Sequence, residues 1–387
     1  MPEVNLAVIS DLHCRLRDDP RESFLTVGSP RKPSSRHPVQ AAIELIDRER
    51  LIADVLLLPG DFANRASPEG LSQGWDHSLE LARHLHTAAV VPVIGNHDID
   101  SHRTRPEQPV FEAVQNLRVG FPFTDENENR RFFADGYALI RLHNVEVIAI
   151  NTVIDQNDAA SAKRGTFGLP RIVRMQRDLE GQLHGPIRVA LMHHHPLLHS
   201  GTFLEDTDVL ATGDQLLTAL RQLGCRLVVH GHKHFARLSY VDRLAVMASG
   251  SFSAQLYEYG TSMGNTFHMI QLDGDDVMNV KGQIRTWVFR LGQGWKEAHE
   301  DRDGFPFIAG FGRTSSMPDL MNALRMLGAS DIARDRFSEE QVKEVAPDIA
   351  YLTPSERQEI NRSLNGSNLS LASYIKGKLE LWREFNP

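Results

Sequence analysis

Short apolar segments alternate with amphipathic segments along the first part of the chain. Residues 4–10, 54–58 and 90–94 are rich in Val, Ile and Leu, as is typical of buried strands. Between them, residues 39–46 and 75–82 carry apolar side chains at helical spacing. Because strand and helix alternate, the pattern predicts parallel strands joined by helical crossovers, which is an α/β fold.

The middle of the chain continues this pattern less regularly. Residues 137–142 and 145–151 are predicted to form a hairpin, and residues 187–192 and 227–229 two further strands. Residues 99–131 are polar and are predicted to form a long loop or an inserted lobe.

Beyond residue 312 the apolar spacing becomes helical. Ser338 with Gln341, and Thr353 with Glu356, have the spacing of capping boxes at helix starts. Two apolar stripes at helical spacing accompany them, formed by Leu320, Leu324 and Leu327 and by Leu371, Ile375, Leu379 and Trp382. We therefore predict a main domain over residues 1–312 and a small all-helical appendage over residues 313–387. Such stripes are usually core, so we expect the helices to dock in cis, with contacts to another protein as the alternative.

Composition narrows the class of protein. The chain has 387 residues, a formal charge of -8 and two cysteines, against 18 histidines. The negative charge argues against sequence-blind adhesion to nucleic acid, and two cysteines are too few for a disulfide framework. No apolar segment approaches the length of a membrane span, and the first residues lack a signal-peptide pattern. We therefore expect a cytoplasmic protein without a membrane partner.

Polar residues follow the predicted strands at their carboxyl ends, where open α/β sheets place their chemistry. They are Asp11 and His13, Asp61, Asn96 and His97, His194, and His232 with His234. In the Asp-x-His and Gly-His-x-His segments, residues two apart point to the same side of an extended chain. Carboxylate, amide and imidazole donors without thiolates favour Mn, Fe or Zn. The sequence therefore predicts a metal site at this edge of the sheet.

The order of these motifs resembles the calcineurin-like metallophosphoesterase superfamily. The motifs are Asp-x-His, Gly-Asp, Gly-Asn-His-Asp, His-x-Pro and Gly-His-x-His, and they extend over residues 8 to about 252. The resemblance implies a four-layer α/β/β/α sandwich with a dinuclear metal centre, and it makes residues 1–312 the catalytic domain.

The resemblance also implies a ligand set. One metal would be held by Asp11, His13, Asp61 and His234, and the second by Asp61, Asn96, His194 and His232, with Asp61 bridging. Among the three adjacent histidines, His194 is selected because the ligand in this family lies two residues before a proline. His97 would be the general acid or the donor at the leaving oxygen, with Asp98 as its catalytic-site partner.

Two cations about 3.5–4 Å apart would bind a phosphoryl oxygen and activate a bridging water as hydroxide, which attacks phosphorus. The ions expected are Mn²⁺, Fe²⁺ or Fe³⁺, and Zn²⁺. His97 suits proton delivery because the usual histidine pKa of about 6.5 lies near neutral pH. Arg103 and Arg105 follow the third motif and would either bind a substrate phosphate or lie in a solvated loop.

The motif details favour one branch of the superfamily. The Ser/Thr protein phosphatases continue Gly-Asp into Val-Asp-Arg-Gly and use Gly-Asn-His-Glu, whereas this chain has Phe62-Ala63-Asn64-Arg65 and Gly-Asn-His-Asp. It is more similar to the phosphodiesterase and nuclease branches. We therefore predict a metal-dependent phosphodiesterase acting on nucleotides or other small phosphodiesters.

Two other functions stay open from the sequence. The first is a DNA or RNA nuclease, for which aromatic residues of the insert would stack on bases; they are Phe111, Phe121, Phe123, Phe132 and Phe133. The second is a non-catalytic metal-binding scaffold.

Overall fold

The structure is a computed structural model that describes residues 3–19, 22–118, 120–156, 158–198, 208–255, 264–372 and 378–383. Within these ranges the strands are β1 Glu3–Val8, β2 Val55–Leu58, β3 Ala89–Pro92, β4 Tyr137–Arg141, β5 Val145–Ile150, β6 Ile187–Met192, β7 Leu227–His230, β8 Ala236–Val241, β9 Leu244–Ser249, β10 Asn265–Asp273, β11 Lys281–Arg290, β12 Gly294–Glu297, β13 Ile308–Phe311, β14 Arg336–Phe337, β15 Leu369–Ala372 and β16 Glu380–Arg383. The α-helices are α1 Pro38–Glu49, α2 Pro68–His84, α3 Glu112–Asn116, α4 Glu126–Ala134, α5 Ala159–Arg164, α6 Leu169–Leu179, α7 Gly213–Gln222, α8 Glu300–Asp303, α9 Met317–Ser330, α10 Glu339–Val345 and α11 Pro354–Asn365. Short 3₁₀ segments are Ser34–Arg36 and Pro347–Tyr351.

The first sheet has the strand order β12-β11-β10-β1-β2-β3, with β13 paired to β11. Strands β1, β2 and β3 are parallel, and β10 joins β1 in antiparallel orientation. The carboxyl ends of β1, β2 and β3 therefore open at one edge of the sheet.

The second sheet has the order β4-β5-β6-β7-β9-β8. Strands β5, β6, β7 and β9 are parallel, whereas β4 and β8 pair antiparallel at the two edges. The β4–β5 hairpin confirms the prediction for residues 137–151.

Alternating residues of the second sheet show how the layers are stacked. Val189 and Leu191 of β6 belong to the same core as Leu6 of the first sheet. Ala190 and Met192 of the same strand pack instead with residues of α6 and α7, in a separate core. On the first sheet, β12 meets α1, where the Trp295 indole donates to the Pro38 carbonyl. The mixed α/β fold predicted from the sequence is confirmed.

The polar insert over residues 99–131 is folded onto the main core. It contains α3 and the start of α4. Phe121, Phe123 and Phe132 are buried, while Phe111 and Phe133 are partly buried against the same core. These aromatic side chains therefore stabilise the insert by packing.

The region after residue 312 is a mixture of helices and strands, which corrects the prediction of an all-helical appendage. Helices α9, α10 and α11 are accompanied by a three-stranded antiparallel sheet in the order β14-β16-β15. Leu371 lies in β15 and Trp382 in β16, whereas Ile375 lies outside the described residues. Leu371 and Trp382 therefore do not share a helix face, because they lie in two different strands that pair with each other. The capping boxes of Ser338 and Thr353 are confirmed.

This C-terminal unit docks in cis on the end of the first sheet that lies away from the predicted site. Asp348 accepts from the Lys281 ammonium at 2.5 Å and from the backbone N–H of Ser315 at 2.7 Å. The Tyr351 hydroxyl donates to Asp273 at 2.8 Å. Asp273 pairs with Glu3 at the amino end of β1, and the predicted ligands follow the carboxyl end of that strand. No described helix combines the length and apolar character needed to cross a membrane.

Candidate metal centre

Every motif predicted from the sequence lies at the carboxyl end of a parallel strand, and these ends converge. The side chains are Asp11 and His13 after β1, Asp61 after β2, Asn96 and His97 after β3, His193 and His194 after β6, and His232 and His234 after β7. They form two groups that share Asp61.

The first ligand group consists of Asp11, His13, Asp61 and His234, whose candidate donor atoms lie within 4.8 Å of one another. His13 Nε2 is 3.4 Å from Asp61 Oδ2, and His234 Nε2 is 3.2 Å from Asp11 Oδ1. The Nε2 atoms of His13 and His234 are only 3.0 Å apart. Two imidazole nitrogens and two carboxylates therefore converge on one small volume.

The backbone of the first ligand group is strained. Asp11, His13, Asp61 and His234 have φ values of 54°, 47°, 55° and 57°, in the left-handed region that non-glycine residues rarely occupy. Such strain concentrates at functional sites and persists only where the surroundings enforce it. Here the His13 N–H donates to the Asp61 carbonyl at 2.9 Å, and the Ser251 hydroxyl donates to the Asp11 carbonyl at 2.8 Å.

The second ligand group consists of Asn96, His193 and His232, together with the shared Asp61. Asn96 Oδ1 lies 3.0 Å from both His193 Nε2 and His232 Nδ1. His193 Nε2 is also 3.4 Å from Asp61 Oδ2, the oxygen that faces His13. Asp61 thus faces both groups, as a bridging ligand must.

The geometry favours His193 over the predicted His194 as the ligand that follows β6. His194 Nε2 lies 2.9 Å from the Ala162 carbonyl and its Nδ1 2.8 Å from the Thr152 hydroxyl, and neither of these partners belongs to the predicted ligand set. His194 is near the second group, with donor atoms within 4.8 Å of those of His193 and His232. Its ring nevertheless faces the loop behind that group.

Strand alternation explains this difference. His193 continues the side of β6 that carries Leu191 and faces the first sheet, whereas His194 continues the side of Met192, which faces the helices. Counting back from the proline selects His194, but it ignores the side of the strand on which each histidine lies. The alternation of β6 is present in the sequence and favours His193, while His194 stays the prediction made from the proline spacing.

The second ligand group is held from behind by backbone carbonyls. His193 Nδ1 lies 2.8 Å from the Pro59 carbonyl, and His232 Nε2 lies 2.8 Å from the Lys163 carbonyl. Since a carbonyl only accepts, each contact places a proton on that nitrogen and leaves the other nitrogen free to ligate.

Charges at the site are arranged to attract cations. Burial alone would raise the pKa of Asp61, but the charges of His193 and His97 outweigh it and hold that pKa well below its usual range. Burial would likewise lower the pKa of His193, but the Asp61 carboxylate outweighs it and raises the pKa to about 9. Two buried carboxylates that require positive charge, with an amide oxygen and imidazoles around them, fit hard or borderline divalent cations.

Asp98 acts on the backbone rather than on His97. Its Oδ2 accepts from the N–H groups of Asp61 and Gly95, each at 2.9 Å, and its Oδ1 from that of Ala63 at 2.9 Å. Burial and the charge of Asp61 raise the pKa of Asp98 to about 7. Asp98 therefore positions Asp61 by joining the ends of β2 and β3.

A cavity of about 740 Å³ opens over the ligands. His97 lines it, and its Nδ1 lies 3.4 Å from the Arg65 backbone nitrogen. Its charged wall residues are Glu22, Arg65, Asp100, Lys163, Asp208 and Lys233.

Arg103 and Arg105, for which the sequence left phosphate binding and a solvated loop open, do not line this cavity. The Arg105 guanidinium donates to the Ala66 carbonyl at 2.8 Å, and Arg103 lies on an exposed turn. Sequence analysis missed Arg65 and Lys163, which no motif marks as cavity residues.

Comparison with solved structures shows a shared fold. A purple acid phosphatase, PPD1 from yellow lupin, has 12% identity and a TM-score of 0.50, over 77% of this chain and 53% of its own. Vps29 from Cryptosporidium parvum has 14% identity and a TM-score of 0.38, over 80% and 99%. A putative 5'-nucleotidase from Staphylococcus aureus has 18% identity and a TM-score of 0.41, over 71% and 51%. This chain thus spans about half the length of the lupin phosphatase. No curated protein matches it significantly.

The family comparison covers the segment that carries the ligands. Residues 4–236 match the family described as calcineurin-like phosphoesterase, which is more than half of the chain. This segment includes both ligand groups, from Asp11 to His234. The protein therefore belongs to the calcineurin-like phosphoesterase family.

Proposed function

We propose that this protein is a phosphodiesterase that uses two metal ions to hydrolyse small phosphodiesters, including nucleotide diesters. Family membership supports the coarser assignment of a metal-dependent phosphoester hydrolase. The observation that carries the finer assignment is the charge balance of the cavity walls.

Cations on the cavity walls are largely neutralised by neighbouring carboxylates. Arg65 pairs with Glu22 at 2.5 Å, and Lys233 with Asp208 at 3.1 Å. The walls therefore add little positive charge beyond that of Lys163. A phosphomonoester dianion is best held by a surplus of cationic donors, whereas a phosphodiester carries a single negative charge. The near balance of positive and negative charge on the cavity walls therefore supports a phosphodiester substrate.

The lining supports a small substrate over a nucleic acid strand. Among the described lining residues there is no Phe, Tyr or Trp on which bases would stack. The aromatic side chains of the insert are packed in or against the core. A volume of about 740 Å³ lies in the range of small-molecule sites.

The chain's own residues have distinct tasks in this proposal. The first and second ligand groups would hold the two ions, with Asp61 facing both. When bound, such ions polarise a phosphoryl oxygen and activate a water. The Arg65 N–H donates to His97 Nδ1 at 3.4 Å, which assigns the ring proton to Nε2. Burial lowers the pKa of His97 to about 4, so at neutral pH the ring would be neutral and would donate a hydrogen bond to the leaving oxygen rather than act as the general acid.

The donor set supports Mn, Fe or Zn as the ions. Cys14 and Cys225 are buried free thiols, which supports the cytoplasmic location expected from composition.

A substrate comparison tests this function. Manganese-loaded protein is assayed with bis-p-nitrophenyl phosphate, p-nitrophenyl phosphate and a single-stranded oligonucleotide. We expect kcat/KM for the diester to exceed that for the monoester by about tenfold, a difference of about 1.4 kcal/mol. Asp61→Asn should abolish turnover, whereas Asp275→Asn, at an exposed carboxylate away from the site, should not.

The other possible results of this substrate comparison would each indicate a different function. Preference for the monoester would indicate a phosphatase, and cleavage of the oligonucleotide a nuclease. Metal binding without turnover of any substrate would favour the non-catalytic scaffold.

A further inference from the structure

Lys163 lies against the site in two ways that no sequence motif indicates, through its backbone carbonyl and through its position on the cavity wall. It lies near the end of α5, it is exposed, and it lines the cavity over the ligands. We propose that its ammonium binds the anionic phosphate group of the substrate and thereby sets KM. This proposal rests on the proposed function and identifies the substrate-binding residue of the same cavity.

The backbone of Lys163 fixes where its side chain begins. The Lys163 carbonyl accepts from His232 Nε2 at 2.8 Å, and His232 Nδ1 faces Asn96 in the second ligand group. Lys163 is therefore separated from the ligand atoms by the width of one imidazole ring. A lysine carries its charge on a flexible four-carbon stem, which is long enough to reach past that ring into the cavity.

The other cations on the cavity wall are already engaged. Arg65 lies 2.5 Å from Glu22 and Lys233 lies 3.1 Å from Asp208. For Lys163, no carboxylate lies within ion-pair distance among the residues that the structure describes. An anion entering the cavity would pair with Lys163 without first breaking an ion pair, which makes it the cation best placed to bind a phosphate.

The segment that carries Lys163 is well anchored. Asp158 and Ser161 form a capping box at the start of α5, and the Ala162 carbonyl accepts from His194 Nε2 at 2.9 Å. At the end of the helix, Gly165 has φ of 72°, and a Cβ there would lie 2.5 Å from His194 Cγ. Because the backbone is fixed on both sides, the point from which the lysine side chain extends into the cavity is set before substrate binds.

Charge removal at two adjacent positions tests the proposal. Lys163→Met keeps the stem and the backbone carbonyl but removes the charge. Arg164→Met removes a charge from the next residue, which is exposed and does not line the cavity. With bis-p-nitrophenyl phosphate we expect Lys163→Met to raise KM about tenfold and to change kcat by less than about twofold. Arg164→Met should leave both constants near wild type, and Lys163→Arg should restore most of the affinity.

Two further measurements separate charge from structure. The effect of Lys163→Met should shrink at high ionic strength, because salt screens a partly exposed ion pair. The number of manganese ions bound should stay at the wild-type value, because the carbonyl that holds His232 is retained.

The binding of inorganic phosphate distinguishes failure of this proposal from failure of the proposed function. Calorimetry on manganese-loaded protein should show about tenfold weaker phosphate binding for Lys163→Met than for Arg164→Met. If the wild type hydrolyses no diester but shows this difference, the phosphodiesterase assignment is wrong and the anion site stands. If Lys163→Met and Arg164→Met behave alike in both assays, the role of Lys163 is overturned.

Discussion

The two ligand groups are held in place by different means. In the first group all four members occupy left-handed backbone conformations, whereas in the second group only Asp61 and His232 do. In the second group, the backbone carbonyls of Pro59 and Lys163 fix the orientation of the imidazole rings of His193 and His232. Asp61 belongs to both and ties them together.

This difference shows which of the contacts that hold the ligands come from the motif segments and which come from other segments of the chain. The first group includes contacts between the motif segments themselves, such as the His13 N–H to the Asp61 carbonyl. The second group depends on α5, which lies outside every motif and also presents Lys163 to the cavity. In the proposed dinuclear centre, changes outside the motifs should therefore affect the second ion site more than the first.

The largest expected effect distinguishes the two adjacent histidines. His193→Gln should reduce diester turnover by about a hundredfold or more and lower metal stoichiometry by one, because it removes a ligand of the second group. His194→Gln should keep the full stoichiometry and lower the free energy of unfolding by about 1–3 kcal/mol, because it disturbs buried hydrogen bonds to Ala162 and Thr152. Metal analysis and thermal denaturation measure the two effects. Loss of one ion in His194→Gln, but not in His193→Gln, would confirm the prediction made from the proline spacing.

A smaller effect is expected from the loop that supports the second group. Gly165→Ala places a Cβ 2.5 Å from His194 Cγ at a positive φ, so the segment carrying the Lys163 carbonyl must shift. We expect the second ion to bind about tenfold more weakly and the first to bind unchanged, as measured by stepwise metal titration. Gly181→Ala is the matched control, because Gly181 also has positive φ but no atom within 4 Å of the point where the new methyl group would lie. Equal effects of the two substitutions would assign the loss to backbone strain alone.

The smallest effect should appear in the first group. Ser251→Ala removes the hydroxyl that donates to the Asp11 carbonyl, and we expect about 1 kcal/mol lower stability with a few-fold weaker first ion. Ser330→Ala, which removes an exposed hydroxyl donating to Leu327 in α9, serves as the control. If Ser251→Ala weakened the second ion instead, the two groups would not be supported separately.

The sequence was informative where one strand end carries one kind of polar residue. Short apolar strands followed by Gly-Asp or Gly-Asn-His-Asp predict both the fold and the place of Asp61 and Asn96, because parallel strands bring such ends together. The ligand was harder to identify among the three consecutive histidines, because residue type alone does not distinguish them. Only the side of β6 on which each lies distinguishes them.

Other features depended on tertiary contacts that no local pattern records. Arg105 was predicted to bind phosphate or to lie in a solvated loop, but it donates to the Ala66 carbonyl, 39 positions away in the chain. The last strands, β15 and β16, are four residues each and are stabilised by packing against the helices of the C-terminal unit. Strands this short have weak local preferences, so a chance helical spacing prevailed in the sequence-based prediction.

The separation of the ligands along the chain has a consequence for folding. His13 and His234 meet although they are 221 positions apart, so the centre closes a loop that includes β2 and β3 of the first sheet and β4 to β7 of the second. Such distant contacts form late, after the entropy of closing the loop has been overcome. Ion uptake would therefore report that β1 through β7 have assembled, and it would shift the folding equilibrium toward the native state in proportion to the logarithm of ion concentration.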